Sequence, residues 1–184
     1  MLVFKNKFYL IVFLLWQTNV FSQSVTMVDP SNNIGIDKWG IVNDGVMGGL
    51  SKSTIYLNKN SNITFEGNIS LANNGGFASC RMGYNGDQLK GATIFLLRVK
   101  GDGNIYKLRF SMNGSYANYS ADFQTKENQW MDIEIPVANF KPYYFGNRTA
   151  APRLRVHKIN SVGVLISDKQ KGKFSLDIDY LKAK

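Results

Sequence analysis

The chain of 184 residues holds one cysteine, Cys80, one histidine, His157, and only 4 prolines. A single thiol closes no internal disulfide, so packing has to hold the fold. One His and one Cys do not fill a tetrahedral zinc site without help from carboxylates, and no metal or other cofactor is expected. With so few bases, and no G-x-S-x-G segment to present a serine, the residues of nucleophilic catalysis are missing; no catalytic residue is assigned and the chain is read as a non-enzyme. Helical periodicity is almost absent past residue 50, and no apolar run approaches the roughly 20 residues of a membrane-spanning helix.

What is present fits a globular protein: 44% hydrophobic, 13% aromatic and 19% charged residues, with 17 glycines. A chain of this length suits one compact domain. The formal charge of +9 is spread thinly. Its densest stretches, Arg148 to Lys158 and the trio Lys169, Lys171 and Lys173, read as solvated faces, so no nucleic-acid partner is expected. At the start of the chain Lys5 and Lys7 precede the apolar run Phe8 to Trp16, then polar Gln17, Thr18 and Asn19, with small residues at Val20 and Ser22. That layout predicts a secretory signal peptide, residues 1–22, cut after Ser22. Residues 23–38 are then a lead-in and 39–184 one domain. The expected location is exported, periplasmic or extracellular, without stable membrane insertion after cleavage.

Short runs of period two, broken by Gly and Asn about every ten residues, predict strands. These are Ser53–Leu57, Ile63–Leu71 with a bend at Glu66-Gly67-Asn68, Phe77–Tyr84, Ala92–Val99, Ile105–Met112, Tyr116–Thr125, Trp130–Ile135, Val162–Ile166 and Phe174–Leu181. The apolar run Ala92–Val99 reads as covered on both faces. In Ile105–Met112 the side chains of Tyr106, Leu108, Phe110 and Met112 share one face. Arg153, Arg155 and His157 alternate like an exposed strand, and residues 138–152 read as the longest irregular stretch. This spacing, with no crossover helices, predicts an all-β antiparallel jelly-roll sandwich.

The carboxylate pairs Asp132/Glu134 and Asp177/Asp179 each lie on one face of a strand whose other face is apolar, which suits solvated outer faces rather than a glycosidase cleft. Asp44, Asp87 and Asp102 are the acids available to a calcium ion, without EF-hand spacing. Cys80 alternates with Ala78 and Met82 as a small buried thiol. The glycine-rich segments Asn43–Gly49 and Asn73–Gly76 match no phosphate-binding pattern.

Trp39, the block Val42-Asn43-Asp44-Gly45-Val46-Met47-Gly48-Gly49-Leu50-Ser51, and Gly75-Gly76-Phe77-Ala78-Ser79 with Arg81 resemble the complex I intermediate-associated protein 30 family. Gly101-Asp102-Gly103 with Tyr106, Trp130, Ile135-Pro136 with Phe140, Gly163, Asp168-Lys169 and Gly172 to Ile178 follow in the same order. The resemblance implies a galactose-binding-like jelly roll and a non-catalytic role as an assembly or chaperone-like factor with a protein partner. On the residues themselves, the ligand- or partner-binding candidates are Trp39, Asp44, Met47, Gly48, Gly49, Arg81, Arg109, Tyr143 and Tyr144. Asp44 is expected either to cap the amides of its own glycine loop or to present its carboxylate to a ligand, and Arg81 and Arg109 to pair with Asp44 or Asp102. The alternative partner is a carbohydrate, stacked on Tyr143, Tyr144 and Phe145.

Overall fold

A computed structural model describes residues 24–184. The expected signal peptide lies outside them. Thirteen strands follow in chain order among the described residues: β1 Val25–Val28, β2 Gly40–Asn43, β3 Lys52–Leu57, β4 Ile63–Ile69, β5 Ala78–Gly83, β6 Ile94–Lys100, β7 Ile105–Met112, β8 Asn118–Gln124, β9 Trp130–Pro136, β10 Lys141–Tyr144, β11 Asn147–Arg148, β12 Ile159–Ile166 and β13 Gly172–Ala183. The only helical pieces among them are single 3-10 turns. No described helix is long and apolar enough to cross a membrane.

The strands form two antiparallel sheets. The first runs β3-β4-β13-β6-β9, with β1 also paired to β13; the second runs β11-β10-β8-β7-β12-β5-β2. Alternation decides which faces meet. Tyr106, Leu108, Phe110 and Met112 of β7 are buried, as are Phe95, Leu97 and Val99 of β6. Rings close the gap between the layers, with Phe95 and Phe110 centroids 4.5 Å apart and Phe140 5.1 Å from Phe110. Each such pair adds about 0.5–1.5 kcal/mol beyond its burial. The architecture is the expected all-β antiparallel sandwich.

Several local expectations change. Strand β4 runs without a bend, paired in unbroken register with β3 and β13 through Gly67. Gly67 is there for space: a Cβ would run into the Lys52 carbonyl, Ser53 and the Phe174 ring. Strand β6 is buried on one face only, because Leu96, Arg98 and Lys100 are half-exposed on the other. There Arg98 bridges Asp132 and Asp179, and Lys100 reaches Asp177. Asp132, Asp177 and Asp179 therefore belong to an outer ion-pair network, and Glu134 is exposed beside it. His157 sits in a 3-10 turn, Val156–Lys158, rather than in a strand. The stretch 138–152 contains the hairpin β10–β11, and residues 25–28 of the expected lead-in add a strand whose Met27 and Val28 enter the core.

Candidate functional site

At one edge of the sandwich the chain crosses twice between the sheets, from β2 to β3 and from β4 to β5. Both crossovers meet at Asp44, which is 1% exposed. Its Oδ1 accepts from the Ser51 amide at 2.9 Å. Its Oδ2 accepts from the Ser51 hydroxyl, from the Gly76 amide at 2.6 Å and from the Phe77 amide at 3.3 Å. The Ser51 oxygen accepts in turn from the Ser70 amide at 3.0 Å, and Asn73 Nδ2 donates to the Gly48 carbonyl at 3.1 Å. Burial opposes ionisation of Asp44, but the hydrogen bonds from Ser51, Gly76 and Phe77 outweigh it and hold the carboxyl below its ordinary pKa.

Two glycines make room for this carboxylate. A Cβ on Gly49 would overlap the Asp44 carboxyl group, and one on Gly75 would come within 2.6 Å of Oδ2. Gly48, at φ 88°, takes the left-handed conformation that ends the 3-10 turn Asp44–Met47. The expected cap is thus corrected: the Asp44 side chain binds the amides of Ser51, Gly76 and Phe77 rather than those of its own glycines. The amide of Gly49 goes to the Asp44 main-chain carbonyl instead, at 3.0 Å.

A carboxylate this buried and bonded four times by its own chain is closed to a ligand from solvent; its effect is to hold the loop. The loop carries Val46, Met47 and Leu50 outward, 73%, 69% and 57% exposed. Trp39 is half-buried against the core, and its Nε1 donates to the Gly35 carbonyl at 2.8 Å, so it anchors the lead into β2. Of the three exposed residues, only Met47 is a candidate on sequence alone; Val46 and Leu50, and the roles of Ser51 and Gly75, emerge from the structure. Three apolar side chains in a turn of glycines were the available sign, since a turn that only turns needs none of them.

Arg81 on β5 and Arg109 on β7 lie on the outer face of the second sheet, on either side of Gly163. The expectation that they pair with Asp44 or Asp102 does not hold. Asp44 is bonded as above, and Asp102 accepts from the Ser175 amide at 2.8 Å, from Asn104 and from the Tyr106 hydroxyl. Tyr143 lies beneath the Arg148 guanidinium, 5.9 Å from its ring centre. Tyr144 is exposed at the hairpin tip, edge-on to Tyr116 at 5.3 Å and to Phe145 at 4.5 Å. Cys80 is buried, which pushes its thiol up to about 12. Among the described residues no three His, Cys, Asp or Glu side chains gather as metal ligands.

The fold is the antiparallel β-sandwich seen in carbohydrate-binding modules. A family 11 carbohydrate-binding module of a cellulosomal cellulase of Clostridium thermocellum is similar at 18% identity and a TM-score of 0.61, over 85% of this chain and 92% of that one. The Clostridium thermocellum module in complex with a β-1,3-1,4-mixed-linked tetrasaccharide gives 18% and 0.61 over 86% and 94%. At these identities the likeness concerns the fold alone. Residues 27–178 match the family described as complex I intermediate-associated protein 30, and the chain belongs to that family. The mitochondrial complex I intermediate-associated protein 30 of Mus musculus is 26% identical over 176 residues, covering 79% of this chain. The chain spans about half of that relative's length, 52%. A mitochondrial relative overturns the expectation of an exported, periplasmic or extracellular protein.

Proposed function

We propose that the chain is a non-catalytic docking module that binds a protein partner through the Val46-Met47-Leu50 surface, in the manner of an assembly or chaperone-like factor. The observation that carries this reading is the tethered exposure of three apolar side chains. Exposed apolar groups usually cluster where a partner covers them, each contributing about 1.5–3 kcal/mol when fully buried. A loop held by four hydrogen bonds to one carboxylate loses little further freedom on binding, so most of that gain is kept. The name of the mouse relative associates it with complex I intermediates, which supports an assembly partner here. The test is photo-crosslinking from position 47 in the native host. A discrete protein adduct that disappears on Val46→Ser with Leu50→Ser, at unchanged melting temperature, is the expected outcome. Adducts no different from those formed at exposed Tyr56 would refute the reading.

A second reading, carbohydrate binding, is favoured by one observation: Tyr116, Tyr144 and Phe145 form an exposed aromatic cluster at the β10–β11 tip. Rings of this kind stack on sugar faces. A glycan array settles it, since hits lost on Phe145→Ala with Tyr144→Ala favour sugar and an array without hits removes it.

A further inference from the structure

We propose that the slot between Arg81 and Arg109 binds a phosphate group, either as inorganic phosphate or as the phosphomonoester of a small molecule. This site is separate from the Asp44 loop and independent of the docking reading. It begins with register: Arg81 faces Gly163, Gly163 faces Arg109, Arg109 faces Ser120 and Ser120 faces Lys141 across five neighbouring strands. Adjacent strands lie roughly 4.8 Å apart, so the two arginines flank a gap about two strand spacings wide. Glycine lets β5 come close at this point, because a Cβ on Gly163 would strike the Cys80 carbonyl and Arg81. Ser111, Asn118 and Ser161 line the same depression.

The charges are what call for a ligand. Among the described residues neither guanidinium has a carboxylate within ion-pair distance, and neither lies over an aromatic ring. Acids do occur on this face, but Lys107 holds them, with Nζ 2.8 Å from Asp122 and 2.7 Å from Asp168. Arg109 is half-buried, and its partial burial together with the nearby charge of Arg81 lowers its pKa. A partly desolvated cation beside another cation is destabilising unless an anion completes the site. Two guanidinium forks match the charge and the oxygen geometry of a phosphate dianion, where a single carboxylate would leave one positive charge over.

The experiment uses the full chain in phosphate-free, low-salt buffer, titrated with inorganic phosphate, glucose 6-phosphate, glucose and acetate and followed by calorimetry and thermal melting. Phosphate or glucose 6-phosphate is expected to bind with a Kd on the order of 1 mM or tighter, with glucose silent and acetate at least roughly tenfold weaker. Arg109→Gln and Arg81→Gln should each weaken binding by roughly tenfold or more, as expected on losing a charge-assisted hydrogen bond, while exposed Arg153→Gln leaves it unchanged. Tighter binding of glucose 6-phosphate than of phosphate assigns an organic ester; equal binding assigns the phosphate group alone. Without ligand, Arg81→Gln should melt no lower than the parent, because it relieves repulsion, whereas a structural arginine would lower the melting point. Absence of binding by both phosphates, equal binding by acetate, or unchanged binding by both variants would overturn the proposal.

Discussion

Replacing Asp44 by Asn tests whether one carboxylate joins the two crossovers. Both oxygens accept from backbone amides, Oδ1 from Ser51 and Oδ2 from Gly76 and Phe77, so an amide nitrogen in either position faces a donor. The cheaper orientation puts it against the single Ser51 amide and keeps the Oδ2 contacts. The variant then loses the charge assistance of the remaining bonds and gains one buried donor–donor conflict. Hydrogen bonds to charged groups are worth about 1.5–3 kcal/mol each and do not add fully, which sets the loss near 3 kcal/mol, with Asp44→Ala costing about 4. For a domain of this size that is about 6–12 °C in melting temperature. The pH dependence is the sharper check. Because the folded-state pKa lies below the ordinary 3.8, the stabilisation is complete above the unfolded-state value and disappears as pH falls through the folded-state one. Urea melts should therefore show a gap between parent and Asp44→Asn that is constant from about pH 7 to pH 5 and narrows below about pH 4. A variant within about 0.5 kcal/mol of the parent, or a gap that persists unchanged to low pH, would refute the reasoning.

Gly49→Ala should destabilise by about 1–3 kcal/mol, because the new methyl meets an Asp44 side chain that cannot move away, while Gly45→Ala, with nothing within 4 Å, should stay within about 0.5 kcal/mol in the same melts. Tyr106→Phe removes the buried hydroxyl that lies 3.1 Å from both Asp102 oxygens, and chemical denaturation should record a loss of about 1–2 kcal/mol. Cys80, buried and with its thiol raised to about 12, should ignore a thiol reagent at neutral pH in the folded protein and react at once in denaturant; prompt labelling of the native chain would show that β5 opens.

The parts of this molecule that could be read in its sequence are those whose cause is local. Tyr106 to Met112 alternates because each side chain answers only to the two faces of its own strand, and the same holds for Trp130 to Ile135. The hairpin β10–β11 escaped because its turn is Phe145-Gly146, with φ 45° and 78°; an aromatic residue in left-handed conformation is not the Asn-Gly pattern that marks such turns. β1 escaped for a different reason: four residues carry almost no periodicity, and only pairing with β13, at the far end of the chain, makes them a strand. Function lies further along this scale. Asp44 reaches Gly76 and Phe77 across 32 and 33 residues of chain, so the glycine block and the Gly-Gly-Phe segment belong together physically, yet nothing in either implies the other. Arg81, Gly163 and Arg109 show the same dependence, since three unrelated sequence positions become one row only through the pairing of β12 with both β5 and β7. A side chain's burial follows from its neighbours in sequence, whereas its partners follow from register. The arginine row is a product of register, and the apolar tip of a carboxylate that joins two crossovers distant in the chain.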